Sequence, residues 1–167
     1  LDRAVSPDTA FEFAGTPVHV IDVSGHTVGH VAFHLPQSGL LFTADSLMAL
    51  GCGRLFEGTP AQMYGSLSKL AALPPETTVC SGHEYTATNA AFAKTIDPVN
   101  PRLSSRVSEI TKARAAGMPT VPSTLAEELA TNPFLRADDP TIAAGLGLTG
   151  ASPVDVFTEI RARRDRF

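Results

Sequence analysis

Three short blocks constrain this chain more than anything else in it: Ser24-Gly25-His26-Thr27-Val28-Gly29-His30, Thr43-Ala44-Asp45-Ser46 and Ser81-Gly82-His83-Glu84-Tyr85-Thr86. In each, a stretch that reads as a β-strand runs out into a turn carrying a His or an Asp. Strand ends hold a side chain rigidly, and neighbouring glycines let backbone or substrate approach closely. That arrangement recurs in metal hydrolases. His26, Asp45 and His83 amount to about half the ligands of a two-metal centre.

The strands themselves are legible. Val18 to Val23 is rich in β-branched residues and stops at Ser24-Gly25. Val31 to Leu35 alternates, and Pro36-Gln37-Ser38-Gly39 turns the chain into its hairpin partner Leu40 to Thr43. Thr59-Pro60-Ala61-Gln62 opens a helix, with Thr59 as cap, Pro60 in the first position and Gln62 as the capping-box partner. That helix is expected to reach Ala72 and stop before Pro74-Pro75, and Thr77 to Cys80 gives one more strand.

From about Asn89 the pattern turns helical. Pro101 starts a helix with Leu103, Val107, Ile110 and Arg114 on one stripe, ending at Gly117. Ser123 or Thr124 caps a short helix carrying Leu125 and Leu129, and Ala143 to Gly150 reads as a loop or a short turn of helix. The last helix opens at Ser152-Pro153 and buries Val154, Phe157 and Ile160. The expectation is a mixed α/β layer followed by a helical appendage, divided as residues 1–88 and 89–167.

Composition adds exclusions. With 43% hydrophobic and 18% charged residues, 167 residues suit one compact domain with an appendage. A net charge of −4 gives no reason to expect nucleic acid, and no apolar run is long enough for a bilayer span. Cys52 and Cys80, far apart in unlike contexts, are expected to be reduced thiols of a cytoplasmic protein. The first residue is Leu1 rather than Met, which suggests a segment upstream.

Taken singly, each site residue has an ordinary explanation. His26 could fix its turn through Thr27, Asp45 could cap the turn at Ser46, and His83 could be a satisfied buried imidazole. Together they favour a metal site, because imidazole and carboxylate are ligands zinc prefers, and one carboxylate can bridge two cations. His30, four residues beyond His26, is expected to support the turn rather than bind metal. His19 and His34 read as core-edge or surface residues.

These blocks resemble glyoxalase II, the hydroxyacylglutathione hydrolase family of the metallo-β-lactamase fold, from about Val18 to Phe167. The Gly-His-Thr-x-Gly turn and Asp45 are shared across that superfamily. Narrower are Gly51-Cys52-Gly53-Arg54 with Glu57-Gly58-Thr59, the run Gly82 to Thr86, and Pro119 to Glu128 with Asn132-Pro133-Phe134-Leu135-Arg136. The resemblance implies the C-terminal portion of a metallo-β-lactamase-type αββα sandwich, followed by a small helical domain. It implies a monomeric thioesterase in which a metal-bound hydroxide cleaves S-D-lactoylglutathione to glutathione and D-lactate. His26 would bind the first metal, Asp45 bridge both, and His83 bind the second. The cofactor would be two divalent metals, zinc foremost, with iron or manganese possible. Arg54, Phe56, Tyr85, Arg161 and Arg164 match positions that hold the glutathione moiety. Position 54 is often Lys in the family and is Arg here, and Phe56 stands where a Tyr can supply a hydroxyl.

The family's Thr-His-x-His-x-Asp-His segment has no counterpart before His26. The chain therefore reads as the C-terminal part of such an enzyme, with an uncovered apolar sheet face, weak metal binding and little activity alone. Two alternatives stand beside this one: a persulfide dioxygenase using one iron, and a non-catalytic remnant that binds glutathione conjugates.

Overall fold

A computed structural model describes residues 3–167. Its main sheet has six strands in the order β1-β2-β3-β4-β7-β8, where β1 is Ala10–Phe13, β2 Thr16–Asp22, β3 Val31–Leu35, β4 Leu40–Ala44, β7 Thr78–Ser81 and β8 Ser123–Thr124. The first four strands run antiparallel in sequence, and β4 pairs parallel with β7. The β3–β4 hairpin turns through a 3-10 segment at Pro36–Ser38, closed by left-handed Gly39. A separate two-stranded hairpin joins β5, Leu47–Met48, to β6, Gly51–Cys52.

The crossover between β4 and β7 contains α1, Pro60–Ala71, which starts at the Thr59–Gln62 capping box expected from the sequence. Five further helices follow: α2 Thr86–Ile96, α3 Pro101–Ala115, α4 Leu125–Thr131, α5 Pro140–Gly145 and α6 Pro153–Arg166. One face of the sheet, represented by Ala32, Leu41 and Val79, packs into a core with Met63, Leu67 and Leu70 of α1 and Phe157 and Ile160 of α6. Cross-strand partners Val20, Phe33, Phe42 and Cys80 share the opposite face. That apolar strip lies outside the main core, and Phe42 is 43% exposed. The openness expected of this face is found at Phe42 but not at Val18 and Val20, which are buried.

Several boundaries differ from expectation. Helix α2 begins at Thr86, not Asn89; Tyr85 precedes it without a side-chain cap, so no cap residue marked the start. On α3 the buried stripe includes Arg106, whereas Arg114 is exposed and reaches Glu84 instead. Val156, not Val154, lies in the buried face of α6. The Ala143 region is the end of a true helix, α5, capped by Asp139. Strand β1 and the two-residue strands β5, β6 and β8 were not anticipated, since pairing partners rather than local composition create them.

Candidate functional site

The three turns meet. His26 follows β2, Asp45 follows β4 and His83 follows β7, and Asp45 lies between the two rings. Its Oδ1 accepts from Nδ1 of His83 at 2.6 Å, and its Oδ2 is 3.7 Å from Nε2 of His26. Two glycines make this approach possible. A Cβ on Gly82 would stand 2.8 Å from Oδ1 of Asp45, and one on Gly53 would collide with the Asp45 carbonyl oxygen.

The rings are oriented from behind. Nδ1 of His26 is 2.7 Å from the carbonyl oxygen of Arg54. A carbonyl only accepts, so Nδ1 carries the hydrogen and the neutral ring keeps its lone pair on Nε2, toward Asp45. The backbone N–H of Asp45 donates to Nε2 of His30 at 3.3 Å, and the Thr27 hydroxyl is 3.3 Å from His30 Nδ1. His30 therefore contacts Thr27 in its own turn, as expected, and also supports the Asp45 turn, which the sequence did not indicate. Burial, and then the neighbouring His26, push its pKa down. An aromatic ring flanks each outer imidazole. Phe56 lies 5.0 Å from His26, and Tyr85 stacks on His83 at 5.1 Å with 2° between the planes.

All eight residues singled out in the sequence line one cleft of about 400 Å³. Besides the metal-type donors, it is lined by Arg161 and Arg164 of α6. Arg161 is buried: one nitrogen donates to the Cys52 carbonyl at 3.2 Å, another to Asp165 at 2.8 Å, and its Nε has no partner. Arg164 donates to Oδ1 of Asn89 at 3.3 Å and lies over the rings of Phe92 and Phe167. Arg54 is largely exposed, 3.5 Å from Asp165. Burial raises the Cys52 thiol to about 11, against the pull of Arg161, so it stays protonated.

The sequence reading missed Asp165 and Asn89 as members of the cleft. Asp165 sits one turn after Arg161, a helical ion-pair spacing that was there to be read. Asn89 was visible only as part of a helix, because its role depends on α2 facing α6.

Donor chemistry tests the fit to a metal. Two imidazoles and a carboxylate between them are the right ligand types, converging at one cleft behind glycines that clear the space. Among the described residues, however, no group of three or more His, Cys, Asp or Glu is arranged to enclose an ion. The set fits part of a metal site.

A β-layer joined by a parallel crossover, with its ligand-type residues on the turns that leave its strands, defines a protein of the metallo-β-lactamase fold. Solved structures share this architecture. ETHE1 from Myxococcus xanthus aligns with 96% of this chain and 58% of its own, at TM-score 0.55 and 22% identity. The BLEG-1 B3 metallo-beta-lactamase aligns with 80% of this chain and 48% of its own, at TM-score 0.55 and 21% identity. The metallo-beta-lactamase superfamily model matches residues 1–83, and the model of the hydroxyacylglutathione hydrolase C-terminus matches residues 84–167. The chain belongs to the hydroxyacylglutathione hydrolase C-terminus family. Over its full length it is 69% identical to a hydroxyacylglutathione hydrolase of Jannaschia sp. and 65% identical to one of Ruegeria pomeroyi. It spans 65% and 66% of those two relatives.

Proposed function

We propose that this chain is the catalytic C-terminal part of a metal-dependent thioesterase that hydrolyses S-D-lactoylglutathione to glutathione and D-lactate. The observation that carries the reading is Asp45 flanked by His26 and His83, in the same cleft as two arginines of α6. Relatives named hydroxyacylglutathione hydrolase at 65–69% identity support it over the dioxygenase alternative.

In this reading His26, Asp45 and His83 hold divalent metal, zinc foremost, together with ligands contributed from outside these residues. Such a metal supplies Lewis-acid polarisation of the thioester carbonyl and an activated water. The chain's own residues do the rest. The Arg54 carbonyl keeps Nε2 of His26 free to bind, and the His83–Tyr85 stack limits rotation of the second ring. Arg161 and Arg164 pair with the glutathione carboxylates, for which guanidinium forks are suited, while Arg54 and Tyr85 line the approach. The leaving thiolate has an ordinary pKa of about 8.5, so no strong acid is needed to expel it. We divide the chain at residues 1–88, carrying the metal donors, and 89–167, carrying the substrate grip. No helix among the described residues is long and apolar enough to cross a membrane. Two free cysteines agree with a cytoplasmic setting.

The test is S-D-lactoylglutathione hydrolysis, with metal content measured on the same sample. It is run on this chain alone and on this chain joined to the remaining third of the Jannaschia relative. Little turnover alone and strong turnover when joined is the expected result. Glutathione-conjugate binding without turnover in the joined protein would make the binding-remnant reading correct.

A further inference from the structure

The run Pro119 to Arg136 is one of the narrower blocks in the sequence, and none of it lines the cleft. Its central residue, Glu128, is fully buried in α4. Oε1 of Glu128 accepts from Nη2 of Arg106 at 2.5 Å. Oε2 accepts from the backbone N–H of Leu50 at 2.8 Å and from Nδ2 of Asn132 at 3.1 Å. Asn132, also fully buried, donates through the same Nδ2 to the carbonyls of Met48 and Gly51 at 3.1 and 3.0 Å. Nδ2 of Asn89 on α2 donates to the carbonyl of Ala49 at 3.0 Å. Four consecutive residues of the β5–β6 turn are thus held by side chains of the helical part, not by the sheet.

That turn needs holding. Leu50 is a buried, non-glycine residue at φ +57°, a left-handed conformation that persists where the surroundings enforce it. What the turn delivers is Gly53 and Arg54. Gly53 lies against the Asp45 carbonyl, donating its N–H to Ser46, and the Arg54 carbonyl accepts the Nδ1–H of His26. A shift of the hairpin moves that acceptor away from the ring.

We propose that Glu128 and Asn132 are positioning residues for the candidate metal site: by clamping the 48–51 turn they fix the Arg54 carbonyl, and through it which nitrogen of His26 is offered to metal. This deepens the metal-site reading of His26 and rests on it. It gives the helical part a second task beside gripping substrate, since its packing sets the ligand geometry of the sheet part. Partners behind ligating histidines typically change metal affinity by 10–100-fold.

The direct readout is the ring-nitrogen NMR spectrum of His26 in the metal-free chain, taken on the neutral ring at alkaline pH. Wild type is expected to show a single Nδ1–H tautomer. Two variants release the clamp by different routes. Asn132→Ala removes the amide that donates to the Met48 and Gly51 carbonyls and leaves the Arg106–Glu128 pair intact. The double variant Arg106→Met with Glu128→Met removes the pair as a unit, a replacement cores often tolerate. In each, His26 should shift to a tautomer mixture, and zinc affinity by titration should fall about 10–100-fold. Thr124→Ala, which weakens α4 at its cap without touching the turn, should leave both readouts unchanged.

Folded variants that keep the wild-type ring signal and zinc affinity would overturn the proposal. So would failure of both variants to fold while Thr124→Ala folds, because the network would then serve stability alone. The ring signal is read without metal, so it judges the clamp separately from the hydrolase reading. A wild-type chain with the expected tautomer but no zinc binding, even when joined to the relative's remaining third, would sink the metal reading instead.

Discussion

Asp45 and His83 are 38 residues apart in sequence, yet Oδ1 of one and Nδ1 of the other meet at 2.6 Å. The parallel pairing of β4 with β7 brings them together, since both residues lie just beyond the ends of those neighbouring strands. The carboxylate accepts, so the neutral His83 ring keeps its lone pair on Nε2, as the Arg54 carbonyl arranges for His26. Replacing His83 by Gln should lower zinc affinity by more than the roughly 10–100-fold lost with a supporting partner. Its side chain is half exposed, so metal-free stability should change by no more than about 0.5 kcal/mol. Zinc titration and thermal unfolding on the same sample check both; unchanged affinity would remove His83 from the ligand set.

Phe56 is 67% exposed beside the His26 ring and offers the substrate no hydrogen bond. Phe56→Tyr adds a hydroxyl at the cleft without disturbing packing. One neutral hydrogen bond contributes about 0.5–1.5 kcal/mol, so KM for the glutathione thioester should fall about twofold to tenfold, with kcat little changed. Steady-state kinetics on the joined protein measures it, and an unchanged KM would mean the substrate passes elsewhere.

Arg164 separates substrate binding from catalysis more sharply. Burial, and next the neighbouring Arg161, lower its pKa, but it remains a cation at neutral pH. Arg164→Ala removes a charge-assisted contact to a carboxylate, worth about 1.5–3 kcal/mol, so KM should rise about 10–100-fold. Zinc content should not move, because Arg164 touches none of the metal donors and meets Asn89 only at Oδ1, leaving the Nδ2 bond to the Ala49 carbonyl in place. A fall in kcat at constant KM would place it at the reacting atoms instead.

The split between what was legible and what was not follows from the range of the forces involved. Capping boxes at Thr59 and Thr124, and Pro153 after Ser152, act within one helical turn, so their residues announce them. His26, Asp45 and His83 were legible because turn chemistry is also local, and a resemblance to a family tied them together. The Glu128 network was not. Its ties from α4 to Leu50 and Met48 span 78 and 84 residues, and a Glu inside an amphipathic helix reads as solvent-facing until its partner is seen. Arg106 was passed over on α3 for the same reason, and Arg114 was given its place on the stripe.

The Thr124 box is the cleanest local test. Its hydroxyl accepts from the Glu127 N–H at 3.2 Å, and the Glu127 carboxylate accepts from the Thr124 N–H at 3.0 Å. Thr124→Ala leaves that N–H with its acceptor but strips the other, and should cost about 1 kcal/mol in urea unfolding. An effect near zero would mean the β7–β8 pairing, not the cap, holds the start of α4.

The acid side of neutrality should be governed partly by His34. It is buried on β3, with the His19 ring of β2 edge-on at 6.2 Å and Leu41 of β4 opposite. Burial first, and the charge of His19 second, push its pKa below the ordinary 6.5. The unfolded chain therefore binds a proton at His34 before the folded one does, and stability falls as pH drops through about 6.5 toward the folded pKa. Above that value the contribution is fully present. Carboxylates act lower down: Asp22, held below its ordinary 3.8 by the Ser24 hydroxyl and, against the cost of burial, by Lys69, loses its contribution only in stronger acid. His34→Leu keeps an apolar side chain of similar size and removes the titrating group. Its urea midpoint should decline less than wild type between neutral pH and the carboxylate range, with the residual slope owed to His30, whose pKa is lowered in the same direction. Parallel slopes for the two proteins would show that His34 is protonated as readily folded as unfolded, and that water reaches its ring.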